Sequence, residues 1–186
     1  MAAKRLTFAY GRTVVIGRVG LLVGLIALVG VSIALTPGFP LLTAGVLAAI
    51  LIAYGVLFVL SPLLTDHWLT RSRLILRQGW YFRAVIPLAD IESASPADDT
   101  SRTRIPLGIH RPVGQPTLFV TGGRTGLVSL RLRRPRRFWQ SFGLYATEIL
   151  FDVTDREAFL AGFEERRARG SLAPVEAHRP DPELRD

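Results

Sequence analysis

The fold follows from one apolar stretch, TVVIGRVGLLVGLIALVGVSIAL at Thr13–Leu35 and LLTAGVLAAILIAYGVLFVLSPLL at Leu41–Leu64, interrupted only by TPGFP at Thr36–Pro40. After Arg18 the stretch carries no charge. A helix needs about 20 apolar residues to cross a hydrocarbon core about 30 Å thick. The prolines and glycine of Thr36–Pro40 end one helix and turn the chain. The sequence therefore predicts a transmembrane helical hairpin over residues 13–65.

Basic residues flank both helices, whereas the turn between them is uncharged. Positive charge is retained on the cytoplasmic side during insertion. We therefore expect a multi-pass protein of the cell (plasma) membrane with both termini cytoplasmic, including a basic N-terminus over residues 1–12. Arg18 lies just inside the first span, and its long side chain can reach the interface, so we interpret it as an anchor. The flanking residues are Lys4, Arg5, Arg12 and Arg18 before the first helix and Arg71, Arg73 and Arg77 after the second.

A second interpretation makes the first apolar helix a cleaved signal peptide. Ser32 and Ala34 would then be the small residues before the cleavage site. The apolar run is long for that role and the basic leader is extended, so two spans are favoured. Under either interpretation, the arginines after the second span hold the C-terminal part in the cytosol.

Small residues recur at intervals of four in both spans, at Gly20 and Gly24 and at Gly45, Ala49 and Ala53. Such spacing lets two helices approach closely, and it predicts that the hairpin packs against itself. Because glycine is common in membrane helices, the spacing is also compatible with no special contact at these positions.

The composition constrains the part of the chain that lies after the hairpin. All 15 acidic residues of the 186-residue chain lie at or beyond Asp66, and the chain has no cysteine. The lack of cysteine excludes disulfides, thiolate metal sites and cysteine nucleophiles. Residues 66–170 are long enough for one cytosolic domain. Residues 171–186 are rich in proline and charge, and we expect a disordered tail there.

Alternation of apolar and polar residues dominates the chain between the hairpin and Val153. Such alternation indicates antiparallel sheet with one face buried. Turns are expected at Gln78-Gly79 and Gly122–Gly126, whereas the proline-rich segment 95–116 gives no clear strand assignment. The residues expected on buried faces are Leu74, Leu76, Trp80, Phe82, Ala84, Ile86, Leu118, Val120, Val128, Leu130, Leu132, Ile149, Phe151 and Val153.

After the last strand, the spacing of the apolar residues changes to that of a helix, which indicates one amphipathic helix. Thr154-Asp155-Arg156-Glu157 fits a capping box with Thr154 as the N-cap. Phe159 and Phe163 lie one turn apart on one face. Basic residues fill the last turn, and Gly170 suits the end of the helix.

Strands followed by one helix are the layout of a pleckstrin-homology (PH) domain. The segments LT (69–70), LILRQG (74–79) and IPLADI (86–91) resemble the opening of the bacterial PH-like domains found in membrane-anchored proteins. LRLRRPRR (130–137) and DREAF (155–159) are similar to later parts of that family. The family often carries a hydrophobic hairpin just before the domain, as this chain does.

The resemblance covers residues 66–169 and implies an α+β fold. The expected architecture is a two-helix transmembrane hairpin followed by a PH-like antiparallel β-barrel or sandwich with a C-terminal capping helix. The matching motifs are structural, and no catalytic residue comes with them.

Some residues are of types that support catalysis or cofactor binding in other proteins, but structural roles explain them better here. The three histidines have no second ligand at metal spacing, and we expect Asp66-His67 to be a hydrated pair at the interface. Gly122–Gly126 lacks the P-loop frame and is expected to be a hairpin turn. We therefore predict no enzyme, no metal and no cofactor. The other residues considered are His110, His178, Asp98, Asp99 and Ser141.

A basic cluster is the most functional-looking feature of the domain. Arginines near a bilayer attract anionic lipid headgroups at about 1 kcal/mol each. We expect the cluster to face the leaflet, with an acidic protein partner or a merely solvated face as alternatives. Nucleic-acid binding is disfavoured because the domain is tethered to a membrane. The candidate residues are Arg131, Arg133, Arg134, Arg136, Arg137, Phe138 and Trp139.

Two functions are compatible with this organisation. In the first, the protein is a non-enzymatic, membrane-tethered binding or scaffold module whose PH-like domain holds a protein segment or an anionic lipid at the inner leaflet of a bacterial plasma membrane. In the second, it is an accessory subunit of a larger integral-membrane complex such as a transporter. The partner could then be another integral-membrane protein or a second copy of the chain.

Overall fold

The computed structural model describes residues 5–97, 105–138 and 145–172. Its two apolar helices are α1 at Thr13–Leu35 and α2 at Leu41–Leu63, and both are long and apolar enough to cross a membrane. The predicted helical hairpin is thus present, with its turn at Thr36–Pro40 as expected. Within α2 the segment Gly55–Leu60 is π-helical.

The two apolar helices contact each other, but the small residues of the predicted repeats lie outside the contact. A Cβ atom added at Gly20, Gly24 or Gly45 would meet nothing within 4 Å, whereas one at Gly55 would lie 3.3 Å from the side chain of Leu22. The hairpin therefore packs against itself, as predicted, but the expectation that Gly20, Gly24 and Gly45 form this contact is wrong. The smaller residues instead lie on exposed faces of α1 and α2.

The first sheet is antiparallel and begins before the hairpin. Its order is β1 (Leu6–Phe8), β2 (His67–Leu69), β3 (Arg73–Arg77) and β4 (Arg83–Pro87). In the β1–β2 pair, Leu6 lies opposite Leu69 and Phe8 opposite His67. The apolar hairpin is therefore an insertion between two adjacent strands. Residues that the sequence assigns to a separate N-terminal segment supply an edge strand of the domain.

This edge strand leads to a prediction about the isolated domain. A fragment of residues 66–170 lacks Phe8, whose ring lies 5.2 Å from that of Phe159 in the core. We expect that fragment to aggregate or to unfold at a lower temperature than a version in which residues 13–65 are replaced by a short Gly/Ser linker. Equal melting temperatures of the two fragments would show that β1 adds nothing to the fold.

The second sheet is mixed. Its order is β5, β8, β9, β7 and β6, and the pair of β7 and β9 is parallel. The expectation of a wholly antiparallel domain is therefore wrong at this pair, because β8 and β9 form a hairpin and β9 then inserts beside β7. The bounds are β5 Ile91–Pro96, β6 Gly108–His110, β7 Thr117–Thr121, β8 Leu127–Arg137 and β9 Tyr145–Asp152.

The core lies between the two sheets and the C-terminal helix. The alternation that predicts buried faces is confirmed, with one exception: Trp80 is 55% exposed because it sits in the turn before β4. Ile75 is buried as well, since both faces of β3 are covered. In the proline-rich segment, β5 extends to Pro96 and β6 is a three-residue edge strand.

The C-terminal helix α3 spans Arg156–Leu172. Asp155, rather than Thr154, caps it: the Asp155 carboxylate accepts a hydrogen bond from the backbone N–H of Ala158 at 3.0 Å. The helix also passes through Gly170, the predicted end. Phe159 and Phe163 are fully buried, as predicted. The predicted tail beyond Leu172 lies outside the described residues.

Candidate functional site

The predicted basic cluster lies on the second half of β8, where the strand extends past its neighbour β5. Arg131, Arg133, Arg134 and Arg137 are exposed and Arg136 is half-buried. Phe138 is only 5% exposed and belongs to the hydrophobic core, so the expectation that it forms part of the surface is wrong. Trp139 lies outside the described residues.

Three of these arginines have partners. Arg131 Nε lies 3.2 Å from a Glu92 carboxylate oxygen, and Arg136 Nη1 lies 3.3 Å from one of Asp90. The guanidinium of Arg137 lies 4.4 Å from the centre of the Tyr145 ring. Such exposed ion pairs contribute little to stability, about 0–1 kcal/mol each. They do reduce the number of guanidinium groups that are available to a ligand.

Arg133 and Arg134 make no ion pair within the described part of the chain. Arg133 lines a cavity of about 550 Å³ together with Arg71 from the β2–β3 turn and Arg166 and Arg167 from α3. The remaining lining residues are uncharged: Ser72, Leu88 and Ala89. Four arginines from three elements thus line one concavity, and the described residues of its lining include no carboxylate.

A second cavity adjoins the first and shares Arg133 and Ala89 with it. It adds Arg134 and Arg136, and its one acidic lining residue is Asp90, the partner of Arg136. The two cavities together form a continuous basic surface, which we call the arginine end of the domain. Its residues are Arg71, Arg133, Arg134, Arg136, Arg166 and Arg167.

The arginine end lies away from the point where the hairpin joins the domain. Leu127 opens β8 opposite Asp152, whose carboxylate accepts a hydrogen bond from Gly11 just before α1. From Leu127, β8 runs about 20 Å to Arg133 and about 30 Å to Arg137, since a strand rises about 3.3 Å per residue. This position favours a ligand that approaches from solution over lipid in the leaflet that would hold the hairpin.

The opposite end, which we call the hairpin base, is held by buried hydrogen bonds. The carboxylate of Asp152 accepts from the backbone N–H groups of Gly11 and Gly122, each at 2.6 Å. The hydroxyl of Tyr10 donates to the carbonyl of Pro62 at 2.8 Å. A Cβ atom at Gly122 would collide with the carbonyl oxygen of Gly11. The glycine-rich segment therefore allows close packing against Gly11. The prediction that it forms a hairpin turn is wrong, because β9 lies between β7 and β8, the two strands that it joins.

Arg18 also belongs to the hairpin base. Its guanidinium donates to the hydroxyl of Tyr81 at 2.6 Å and to the carbonyl of Phe58 at 3.1 Å. Phe58 lies in the π-helical segment of α2, and the residue four positions on, Pro62, has no backbone N–H to donate to the Phe58 carbonyl. The predicted anchor thus joins α1, α2 and the domain.

His67 lies in the core rather than in water. It is 1% exposed, its ring stacks on Tyr10 with centroids 4.9 Å apart, and its Nδ1 accepts a hydrogen bond from the N–H of Arg77. Burial lowers the pKa of His67 to about 3, so the imidazole is neutral. The expectation of a hydrated Asp66-His67 pair is wrong, because β2 turns alternate side chains inward.

Sequence reasoning finds part of the arginine end and misses the rest. Arg133, Arg134 and Arg136 are predicted site residues, but the sequence pattern places Arg71, Arg166 and Arg167 in a membrane flank and a helix end. Only the tertiary fold brings these segments together. In the described residues no group of three histidine, aspartate or glutamate side chains is placed to hold a metal ion.

Comparisons with known proteins add no relatives. No protein-family model, curated protein or solved structure matches the chain. The fold therefore defines the class on its own: an α+β protein with two apolar helices inserted in the first of two sheets and a C-terminal helix closing the core.

Proposed function

We propose that this chain is a non-enzymatic binding module of the plasma membrane, built from a transmembrane hairpin and a PH-like domain, with both termini in the cytosol. The insertion of the hairpin between β1 and β2 is the observation that carries the proposal. A domain joined through two paired strands cannot swing as it would on a single linker. It is held at a fixed height and orientation next to the bilayer.

The contacts of the hairpin base support this rigid attachment. Tyr10 on the N-terminal side bonds to Pro62 and lies 3.1 Å from the hydroxyl of Thr65 on the C-terminal side. The hydroxyl of Ser61, at the end of α2, accepts a hydrogen bond from the N–H of Trp80 in the domain. When one partner of a buried hydrogen bond is removed, the other polar group stays buried without a partner, and the protein loses stability by the full desolvation cost of that group. These hydrogen bonds therefore favour one geometry.

The charge distribution supports a binding role at the end remote from the hairpin base. The arginine end presents a concave surface lined by arginines, and Asp90, which also lines the second cavity, is already paired with Arg136. A surface of this kind attracts anionic groups, whether on a protein segment or on a lipid. Of the two, the lipid of the membrane that holds the hairpin is the less accessible, because the arginines lie at the end of β8 that is distant from the hairpin base.

An accessory subunit of a membrane complex is the second candidate. The exposed small residues of the hairpin, including Gly20, Gly24 and Gly45, favour it. Faces of this composition allow close approach of a helix from another protein or from a second copy. In that case the hairpin would be the interface and the domain would cap the complex.

Purification from native membranes in a mild detergent separates the two candidates. The binding-module proposal predicts that the chain is recovered without a stoichiometric integral-membrane partner and that crosslinking through the domain captures its ligand. A stable, stoichiometric membrane partner that survives high salt would favour the accessory subunit. Replacement of Gly20 and Gly24 by leucine is the matched control, because it should disrupt only a helix-mediated complex.

A further inference from the structure

We infer that the cavity of the arginine end binds a phosphate-bearing ligand from solution. This inference rests on the proposed function only for the orientation of the domain. Arg71, Arg133, Arg166 and Arg167 line one cavity of about 550 Å³, a volume within the usual range for small-molecule sites.

The residue type at this cavity specifies the chemistry of its ligand. A guanidinium presents planar pairs of N–H donors that match two oxygens of a phosphate, and it stays charged at any physiological pH. Ser72, a residue with a neutral hydroxyl donor, also lines the cavity. A ligand with one or more phosphate groups can satisfy several of these donors at once, whereas a single carboxylate can pair with only one or two.

Two acids close to the cavity are already paired with arginines outside its lining. Glu165, beside Arg166 in α3, pairs with Arg169 at 2.6 Å, and Asp90 pairs with Arg136. Like charges brought together raise the energy of the folded protein unless an anion offsets them. A bound phosphate group would reduce that cost for Arg71, Arg133 and Arg167, because the described residues of the lining supply no negative charge.

The probe is inorganic triphosphate, titrated into the full-length chain in nanodiscs of neutral phosphatidylcholine. The cavity variant carries Arg71→Gln with Arg133→Gln. Its matched control carries Arg83→Gln with Arg124→Gln. This control removes two exposed arginines elsewhere, so it has the same net charge as the cavity variant. The melting temperature of each variant checks that it is folded.

We expect the cavity variant to bind triphosphate about ten- to a hundredfold more weakly than the unaltered chain, since it loses charge-assisted hydrogen bonds. The control variant should retain the affinity. Absence of binding by the unaltered chain, or equal weakening in both variants, overturns the proposal. Binding of a polyglutamate peptide without binding of triphosphate would also overturn it and would assign the surface to an acidic protein.

A second set of nanodiscs distinguishes a soluble ligand from a lipid headgroup. Retained triphosphate affinity when phosphatidylglycerol is added to the same nanodisc supports a soluble source. Loss of that affinity in the unaltered chain would identify the headgroup as the source of phosphate and overturn the assignment to solution. Neither result affects the topology of the hairpin, so failure here is distinguishable from failure of the proposed function.

Discussion

Replacement of Phe159 by alanine should lower the free energy of unfolding by about 3–5 kcal/mol, the usual cost of removing a fully buried aromatic ring. Phe159 is 0% exposed and contacts rings from two directions, with centroids 5.2 Å from Phe8 and 5.3 Å from Phe151. Both pairs have edge-to-face geometry, which adds to the effect of burial. The ring joins α3 to β1 and β9, so its removal loosens three elements.

Chemical denaturation of the full chain in detergent measures this effect. Glu164→Ala, an exposed position on the same helix, is the control and should change stability little. A Phe159→Ala variant as stable as the Glu164→Ala variant would show that α3 does not close the core through this face.

Asp152→Ala should be the second severe change, costing about 2–6 kcal/mol. It leaves the backbone N–H groups of Gly11 and Gly122 without their acceptor, and each such buried donor costs about 1–3 kcal/mol. The N-terminal segment would then be free to separate from the β7–β8 turn. Asp90→Ala, at the arginine end, is the control and should cost less than about 1 kcal/mol because its pair with Arg136 is exposed.

The pH dependence of stability provides an independent test of the same network. Burial raises the pKa of Asp152 from 3.8 to about 6, so its contribution to stability is full below pH 4 and is lost as pH rises through 6. Burial lowers the pKa of His67 from 6.5 to about 3, so its contribution is full above pH 6.5 and is lost as pH falls towards 3. Between pH 4 and 6, a rise in pH therefore lowers the free energy of unfolding through Asp152 and raises it through His67, so the two effects oppose each other.

Without the Asp152 carboxyl, the free energy of unfolding should change with pH mainly through the protonation of His67. The Asp152→Ala variant is expected to lose about 1.4 kcal/mol for each pH unit between 6 and 4, whereas the unaltered chain should change much less over this range. Denaturation midpoints at pH 4, 5 and 6 measure both slopes. Parallel pH profiles for the two proteins would show that Asp152 does not take up a proton in the folded state.

The elements set by local pattern were predictable from the sequence. The helices α1 and α2 follow from the length of the apolar runs, and Pro37 and Gly38 mark the turn between them. Strands such as β8 follow from period-two alternation, because one face of each meets the core. Helix α3 follows from its apolar spacing, although Asp155 is its cap and the helix continues through Gly170.

Features that depend on distant pairing were not predictable in the same way. β1 has only three residues, too short for a periodic signal, and its partner lies beyond two membrane-length helices. The parallel pairing of β7 with β9 likewise has no local signature. The arginine end was half predictable, because the run on β8 is contiguous while Arg71 and Arg166 reach it only through the fold.

Single-cysteine labelling tests the membrane-anchored account most directly, because the chain has no cysteine of its own. Thr36→Cys lies in the exposed turn of the hairpin and Arg134→Cys at the arginine end. With a membrane-impermeant maleimide on intact cells, we expect Thr36→Cys to be labelled and Arg134→Cys to be labelled only after permeabilisation. Labelling of Arg134→Cys in intact cells would place the domain outside and contradict the account.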